Sequence, residues 1–234
     1  HRKNLAVIFQ NEEDKGLFLK NRIIKEEQAF MIKGSGVDLN QYCYTPEPVS
    51  GKIKVLLTAR MIVEKGVFVL TNAALKLKVE YKDKVEFLLC GGLDDNPKAI
   101  KEEELKTVCD GEYIQWLGYR TDVLELLKSC HIVAFPSYYK EGLPKSLIEA
   151  TAVGRPIVTT NSIGCKETVI DGYNGYLIPI KDSDTLAERL KILFEDEGLR
   201  QNMGRNSRML AEKDFSIENV IQKHLEIYNQ LSKA

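Results

Sequence analysis

A chain of 234 residues can bury a full core without disulfide or metal staples, and no stretch of it approaches the ~18 apolar residues of a membrane-spanning helix. Its 33 basic and 34 acidic side chains nearly cancel, to a net charge of -1, which removes the broad positive field of a nucleic-acid binder and leaves any anion site to local groups. Five cysteines (Cys43, Cys90, Cys109, Cys130, Cys165) without a CxxC pair predict reduced core thiols, and three histidines (His1, His131, His224) without a second ligand at metal spacing predict no structural zinc.

In chain order, Leu5 to Gln10 forms a short apolar strand, an amphipathic helix follows from about Glu12 to Lys25, and Ala29 to Lys33 gives a second strand. This single βαβ unit is too small to be a domain. No charged and apolar signal segment opens the chain, which points to the cytoplasm. Gly34-Ser35-Gly36-Val37-Asp38 is a tight turn that admits a close ligand or a neighbouring domain. The stretch from Pro46 to Gly51 interrupts the periodicity and reads as a linker.

Beyond it, apolar runs at Ile53 to Ala59, Val85 to Cys90, Tyr113 to Trp116, Ile132 to Phe135, Pro156 to Thr160 and Gly175 to Ile178 alternate with helical patterns. Continuous apolar runs separated by helices predict a parallel sheet covered on both faces, a doubly wound α/β domain. Three helices close the chain, about Asp182 to Glu195, Leu199 to Glu212 and Ile217 to Leu231, the first with a polar Asp182-Ser183-Asp184 start that suits a cap.

In such sheets ligands bind outside the carboxyl ends of the strands. The first strand after the linker ends in Ala59-Arg60, and Lys65-Gly66 follows five residues later at a helix start. Two cations beside free N–H groups suit a diphosphate, whereas solvated loop cations are the plain alternative. After Phe135-Pro136-Ser137 comes Glu141-Gly142-Leu143-Pro144-Lys145, where Gly142 permits close approach and the free amides around it form a second anion cradle. Glu149, about two turns into that helix in an apolar stretch, needs partners: sugar or ribose hydroxyls on one reading, an internal ion pair or cap on the other. Glu141 is equally open between a site carboxylate and a surface acid. Gly118-Tyr119-Arg120 could meet a nucleobase edge or enter a helix capped by Thr121, and Gly164 opens a further helix end. Asp94-Asp95-Asn96 is the nearest approach to a carboxylate metal motif and reads as a turn before Pro97.

Together these loops resemble the family-4 retaining glycosyltransferases, whose GT-B fold sets two Rossmann-like domains face to face. The resemblance runs through Gly34 to Asp38, Arg60 with Lys65-Gly66, Gly118-Tyr119-Arg120, Pro136-Ser137, Glu141 and Glu149 with seven residues between them, Ala152 to Val158, and Asp171-Gly172 with Asn174-Gly175. It implies that residues 49–215 are the Rossmann-like nucleotide-sugar domain of the C-terminal half. Residues 1–48 would be a remnant βα unit of the acceptor domain plus linker, and 216–234 a crossover helix packing back on residues 1–30.

The resemblance further implies that Arg60 and Lys65, with Gly66, hold the donor diphosphate, and that Arg60, Lys65 and Glu141 serve catalysis. Glu141 would lie near the transferred sugar, and the amides of Gly142, Leu143 and Lys145 would contact phosphate or sugar. Glu149 would grip the ribose, and Tyr119 with Arg120 would flank the base. The implied reaction moves a hexose from a UDP-linked donor to a glycan or lipid-linked acceptor with retention, without a metal. The acceptor and a histidine near the sugar belong to an N-terminal half that this chain lacks, and the site of action is the cytoplasm, at the inner face of the membrane. A stand-alone nucleotide-binding or regulatory module, and a phosphorylase or epimerase on the same fold, are the competing readings.

Overall fold

The computed structural model describes residues 5–233; His1 lies outside them. Two sheets organise the chain. In the first, β1 (Val7–Phe9) and β2 (Ala29–Met31) pair in parallel with Val7 opposite Ala29, joined by α1 (Glu12–Lys20). The second contains β3 (Ile53–Thr58), β4 (Val85–Cys90), β5 (Ile114–Trp116), β6 (Ile132–Phe135), β7 (Ile157–Thr160) and β8 (Gly175–Ile178). Its six strands run parallel in the order β5-β4-β3-β6-β7-β8. That order reverses between β3 and β6, as in a Rossmann-like sheet, and matches the C-terminal half of a GT-B fold.

Continuous apolar strands follow from burial on both faces. On one face Val55, Leu57, Phe87, Leu89, Ile132 and Ala134 share a core with α2 (Val67–Tyr81), α3 (Glu102–Val108) and α6 (Ser183–Glu195). The intervening residues Leu56, Leu88, Val133 and Phe135 meet α4 (Val123–Ser129) and α5 (Lys145–Val153) on the other. Each face is thus selected by the two-residue period of a strand. The chain then continues into α7 (Glu197–Leu210), a π-helical turn at Ala211–Phe215, and α8 (Ile217–Lys233).

Several boundaries differ from expectation. α1 stops at Lys20 rather than near Lys25, because Arg22 takes a positive φ of 55° and the Ile23 N–H turns back to the Phe18 carbonyl, which lets Ile24 bury. α7 begins at Glu197, since Asp196 accepts the Leu199 N–H at 2.8 Å and caps it there. Asp182 caps α6 as expected, whereas α4 starts after Asp122 and not after Thr121. Gly164 opens only a 3-10 turn at Lys166–Thr168. Cys90, Cys130 and Cys165 are buried, but Cys43 is exposed and Cys109 half-buried, so the reading of all five thiols as core fails there.

The stretch read as a linker is held rigidly. Arg155, 1% exposed, donates to the carbonyls of Leu127 (2.8 Å), Lys128 (3.1 Å) and Thr45 (2.9 Å). Arg200 makes a two-pronged pair with Glu47 at 2.9 and 3.3 Å and also donates to the Leu193 carbonyl at 2.7 Å. Both guanidiniums therefore sit at the carbonyl ends of helices, α4 and α6, where the dipole favours a cation. His131 completes the clamp: its Nδ1 accepts the Lys54 N–H at 3.1 Å, which leaves Nε2 to donate to the Pro48 carbonyl at 3.2 Å.

At the other end of the chain, α8 packs Val220, Ile227 and Leu231 against Ala6, Phe30 and Ile32, so the expected contact with the first βαβ unit is present. Gly36 makes the approach possible, since a Cβ there would lie 2.9 Å from the Ile217 Cα. Among the described residues no helix is long and apolar enough to cross a membrane.

Burial, followed by the nearby Arg200 charge, pushes the His131 pKa down to about 4. A depressed histidine contributes stability that is complete above its unfolded value of about 6.5 and is lost as pH falls toward the folded value. Denaturant titrations at pH 7 and pH 5 should show His131→Gln losing about 2 kcal/mol less than the wild type over that interval. Equal losses would mean that the His131 pKa is not depressed by folding.

Candidate active site

The reversal of strand order between β3 and β6 leaves a crevice at their carboxyl ends, because the chain leaving β3 enters α2 on one face while that leaving β6 enters α5 on the other. The two loops remain bound to each other. The Glu64 carbonyl accepts the Tyr138 N–H (2.9 Å), the Tyr139 N–H (3.1 Å) and the Ser137 hydroxyl (3.2 Å). Gly66, with φ of 82°, lies directly under Pro136, whose carbonyl oxygen would be 2.1 Å from any Cβ at this position. Gly66 thus lets the loops touch.

This contact brings together two of the expected residues. Lys65 Nζ is 2.7 Å from Glu141 Oε1, with the side chains only 10% and 16% exposed. The ammonium also lies 5.0 Å from the Tyr139 ring centroid and 5.7 Å from that of Phe135. The Ser137 hydroxyl also lies 3.1 Å from Glu141 Oε1, its one proton shared between this carboxylate and the Glu64 carbonyl, so Glu141 has two partners in a largely dry setting.

Arg60 sits at the rim, 59% exposed, and pairs with Asp94 at 2.7 Å. The sequence singled out Asp94 only for its turn, and it does accept the Asn96 N–H at 2.8 Å; its role as the Arg60 partner is new. These two contacts, the Asn96 N–H first, hold its carboxyl below the usual range. Tyr119 projects into solvent at 78% exposure, and Arg120 pairs with its neighbour Asp122 at 2.7 and 2.5 Å. Their loop is anchored from behind by the Gly91 N–H to the Gly118 carbonyl (2.8 Å) and by Trp116 Nε1 to the Gly91 carbonyl (2.9 Å).

On the α5 side, the expected cradle of free amides is only partly free. The Leu143 N–H donates to Gln10 Oε1 at 2.9 Å, whereas the N–H groups of Gly142 and Lys145 make no hydrogen bond among the described residues. Pro144 precedes the first helical residue and takes the N-cap position. Glu149 accepts the Tyr42 hydroxyl at 3.1 Å; burial raises its carboxyl above the usual range, and burial beside Glu149 pushes the Tyr42 phenol up to about 12. Lys145, one turn before Glu149, is exposed.

All the candidate residues therefore leave the same edge of the sheet, from the ends of β3, β5 and β6. Lys65 and Glu141 meet directly, whereas Arg60 and Arg120 are each paired with an acid and Glu149 has only the Tyr42 hydroxyl. Sequence reasoning missed Tyr42 and Gln10, which reach the site across 107 and 133 residues. No local signal marks either one. Among the described residues no three His, Cys, Asp or Glu side chains converge as a metal site would require.

Comparison with known proteins places this geometry. A profile of the family "Glycosyl transferases group 1" matches residues 46–209. The chain is 35% identical, over 97% of its length and 60% of the relative, to the N,N'-diacetylbacillosaminyl-diphospho-undecaprenol alpha-1,3-N-acetylgalactosaminyltransferase of Campylobacter jejuni. It is 27% identical to the capsular polysaccharide biosynthesis glycosyltransferase CapM of Staphylococcus aureus, over 97% of this chain and 62% of CapM. Among solved structures, a Rickettsia africae glycosyltransferase superposes with a TM-score of 0.86 at 23% identity, covering 99% of this chain and 64% of that one. Anabaena Alr3699/HepE in complex with UDP and glucose superposes with a TM-score of 0.79 at 21% identity, covering 96% and 62%. At such identities these two structures speak for the fold alone. The chain spans about three-fifths of the length of these relatives.

Glu149 carries the clearest cost of an unliganded site, being a half-buried carboxylate with one neutral partner. Glu149→Gln should therefore raise the stability of the free protein, by on the order of 1 kcal/mol, as removal of strained functional charges commonly does. Chemical denaturation at pH 7 checks this, and a destabilised Glu149→Gln chain would show the carboxylate to be structural.

Proposed function

We propose, for a chain that belongs to the glycosyl transferases group 1 family, that it is the donor half of a retaining hexosyltransferase and binds a UDP-linked sugar. The observation that carries this reading is the Lys65–Glu141 pair at the strand reversal, with Arg60 on the same strand-end loop. A diphosphate arriving there draws Lys65 from Glu141 and Arg60 from Asp94, so each cation exchanges one anion for another while Glu141 keeps the Ser137 hydroxyl and needs a new donor. Glu141 is then free to accept a hydroxyl of the transferred sugar. Glu149, already an acceptor toward Tyr42, takes the ribose hydroxyls, and the exposed Tyr119 ring offers a face to the base with Arg120 beside it.

In the reaction so read, the bond from the anomeric carbon to the diphosphate oxygen breaks while the acceptor oxygen bonds to the same face of that carbon. The acceptor proton passes to the departing diphosphate. Arg60 and Lys65 stabilise the charge that develops on the leaving group, the role a metal ion plays in other transferases. UDP is preferred as the nucleotide because Anabaena HepE was crystallised with it. A lipid-linked glycan is preferred as acceptor because the Campylobacter relative is described as acting on one, which fits work at the inner face of the membrane from the cytoplasm.

The acceptor half lies in sequence beyond this chain, and the isolated donor half binds without turning over. In support, a two-stranded sheet is marginal by itself, and the β1-β2 unit leaves Leu5, Ile8, Leu17 and Ile23 exposed.

Calorimetric titration with UDP, GDP and ADP tests the reading. UDP should bind, and Arg60→Ala and Glu149→Ala should each weaken it on the order of tenfold, the value of one charge-assisted hydrogen bond. Failure of every nucleotide to bind, or binding indifferent to both substitutions, would overturn it.

A further inference from the structure

Gln10 directly follows β1, and its side chain crosses to the opposite wall of the cleft. Its Oε1 accepts the Leu143 N–H at 2.9 Å and would lie 2.1 Å from a Cβ at Gly142. Gly142 therefore does what the sequence suggested, opening the backbone to close approach, but the group that approaches is Gln10. Beside it lies a cavity walled by Glu13, Asp14 and Leu17 of α1 and by Lys140, Glu141 and Gly142.

The charges around this cavity favour one class of occupant. Glu13 is paired with Lys166 and Glu141 with Lys65, and Asp14 accepts from Asn11 at 2.8 Å opposite the Lys140 ammonium, so the cavity is walled by carboxylates whose charges are nearly balanced. A diphosphate would gain no net attraction there, whereas a neutral ring bearing hydroxyls would find acceptors in the carboxylates and, next to Gly142, a donor in the Leu143 amide.

We infer that Gln10 is the built-in occupant of the donor sugar's subsite: its amide carbonyl holds the Leu143 N–H until a sugar hydroxyl displaces it. The inference rests on the nucleotide-sugar reading above. One N–H serves one in-line acceptor well, so a sugar oxygen taking this amide must break the Gln10 bond. UDP alone, held through its phosphates by Lys65 and Arg60, leaves Gln10 in place. Gln10 is thus a positioning residue whose removal acts on the sugar and not on the nucleotide. A residue that merely stapled β1 to α5 would affect both ligands alike.

The test is calorimetry on the whole chain and on its Gln10→Ala and Gln10→Asn variants, with UDP, UDP-N-acetylgalactosamine, UDP-N-acetylglucosamine and UDP-glucose. Both variants should bind UDP within about twofold of the wild type and bind at least one sugar nucleotide roughly three- to tenfold tighter, the value of a neutral hydrogen bond no longer in competition. Asn keeps the amide but is one methylene too short to reach Leu143, so it must reproduce the gain seen with Ala; melting curves verify that each variant folds. An unchanged or lowered ratio of sugar-nucleotide to UDP affinity, or an equal shift in both, overturns the inference while leaving donor binding intact. A wild type that binds neither UDP nor any UDP-sugar removes the donor reading itself, and this inference with it.

Discussion

The reversal of strand order between β3 and β6 is the constraint on which the rest of the molecule hangs. Parallel strands need crossover helices, and here successive crossovers go to opposite faces, so the two central loops part and leave backbone without a cover. The gap is narrow only because Gly66 can sit beneath the Pro136 carbonyl and because the Glu64 carbonyl gathers three donors from the facing loop. Within that contact Lys65 and Glu141 are nearly dry, and each needs the other.

Elsewhere along the same edge the pattern repeats with other chemistry. Arg60 rests on Asp94, Arg120 on Asp122, Glu149 on the Tyr42 hydroxyl and the Leu143 amide on Gln10. Where little water reaches, as at Lys65 and Glu141, charged groups cannot stay unmatched while the cleft waits for a ligand. Recognition in such a site is exchange, in which the ligand's contribution is the difference between its contacts and those it replaces.

The motif positions divide by physical role. Lys65 and Glu141 meet at the crevice and Glu149 holds Tyr42, whereas Arg155, Asn174, Gly175 and Gly34 hold the scaffold. The Asn174 side chain accepts the Ile170 N–H at 2.8 Å and donates to the Thr168 carbonyl at 3.0 Å, while a Cβ on Gly175 would lie 1.9 Å from the Ile157 carbonyl oxygen. A Cβ on Gly34 would lie 2.6 Å from Ile148 and 2.9 Å from Leu143, so the turn after the first βαβ unit is pressed against the start of α5. Arg155 and Arg200 fix the chain between the two sheets to the far side of the domain, which keeps the approach of Gln10 and Tyr42 from being a loose encounter.

The sequence by itself determined the doubly wound sheet. Its six apolar runs match β3 to β8 within a residue or so, because burial on both faces writes itself into composition over three to six consecutive positions. It also determined which loops carry charge, since Arg60, Lys65, Glu141 and Glu149 are read directly and their strand-end positions follow from the fold. Only the tertiary structure decided whom those residues meet. Asp94, Tyr42 and Gln10 lie 34, 107 and 133 residues from their partners, and a side-chain pairing at such separations depends on the packing of whole layers and leaves no local period behind. The early end of α1 and the rigid linker were hidden for the same reason: a left-handed Arg22 and buried guanidiniums on carbonyls are chosen by their surroundings and not by their neighbours in sequence.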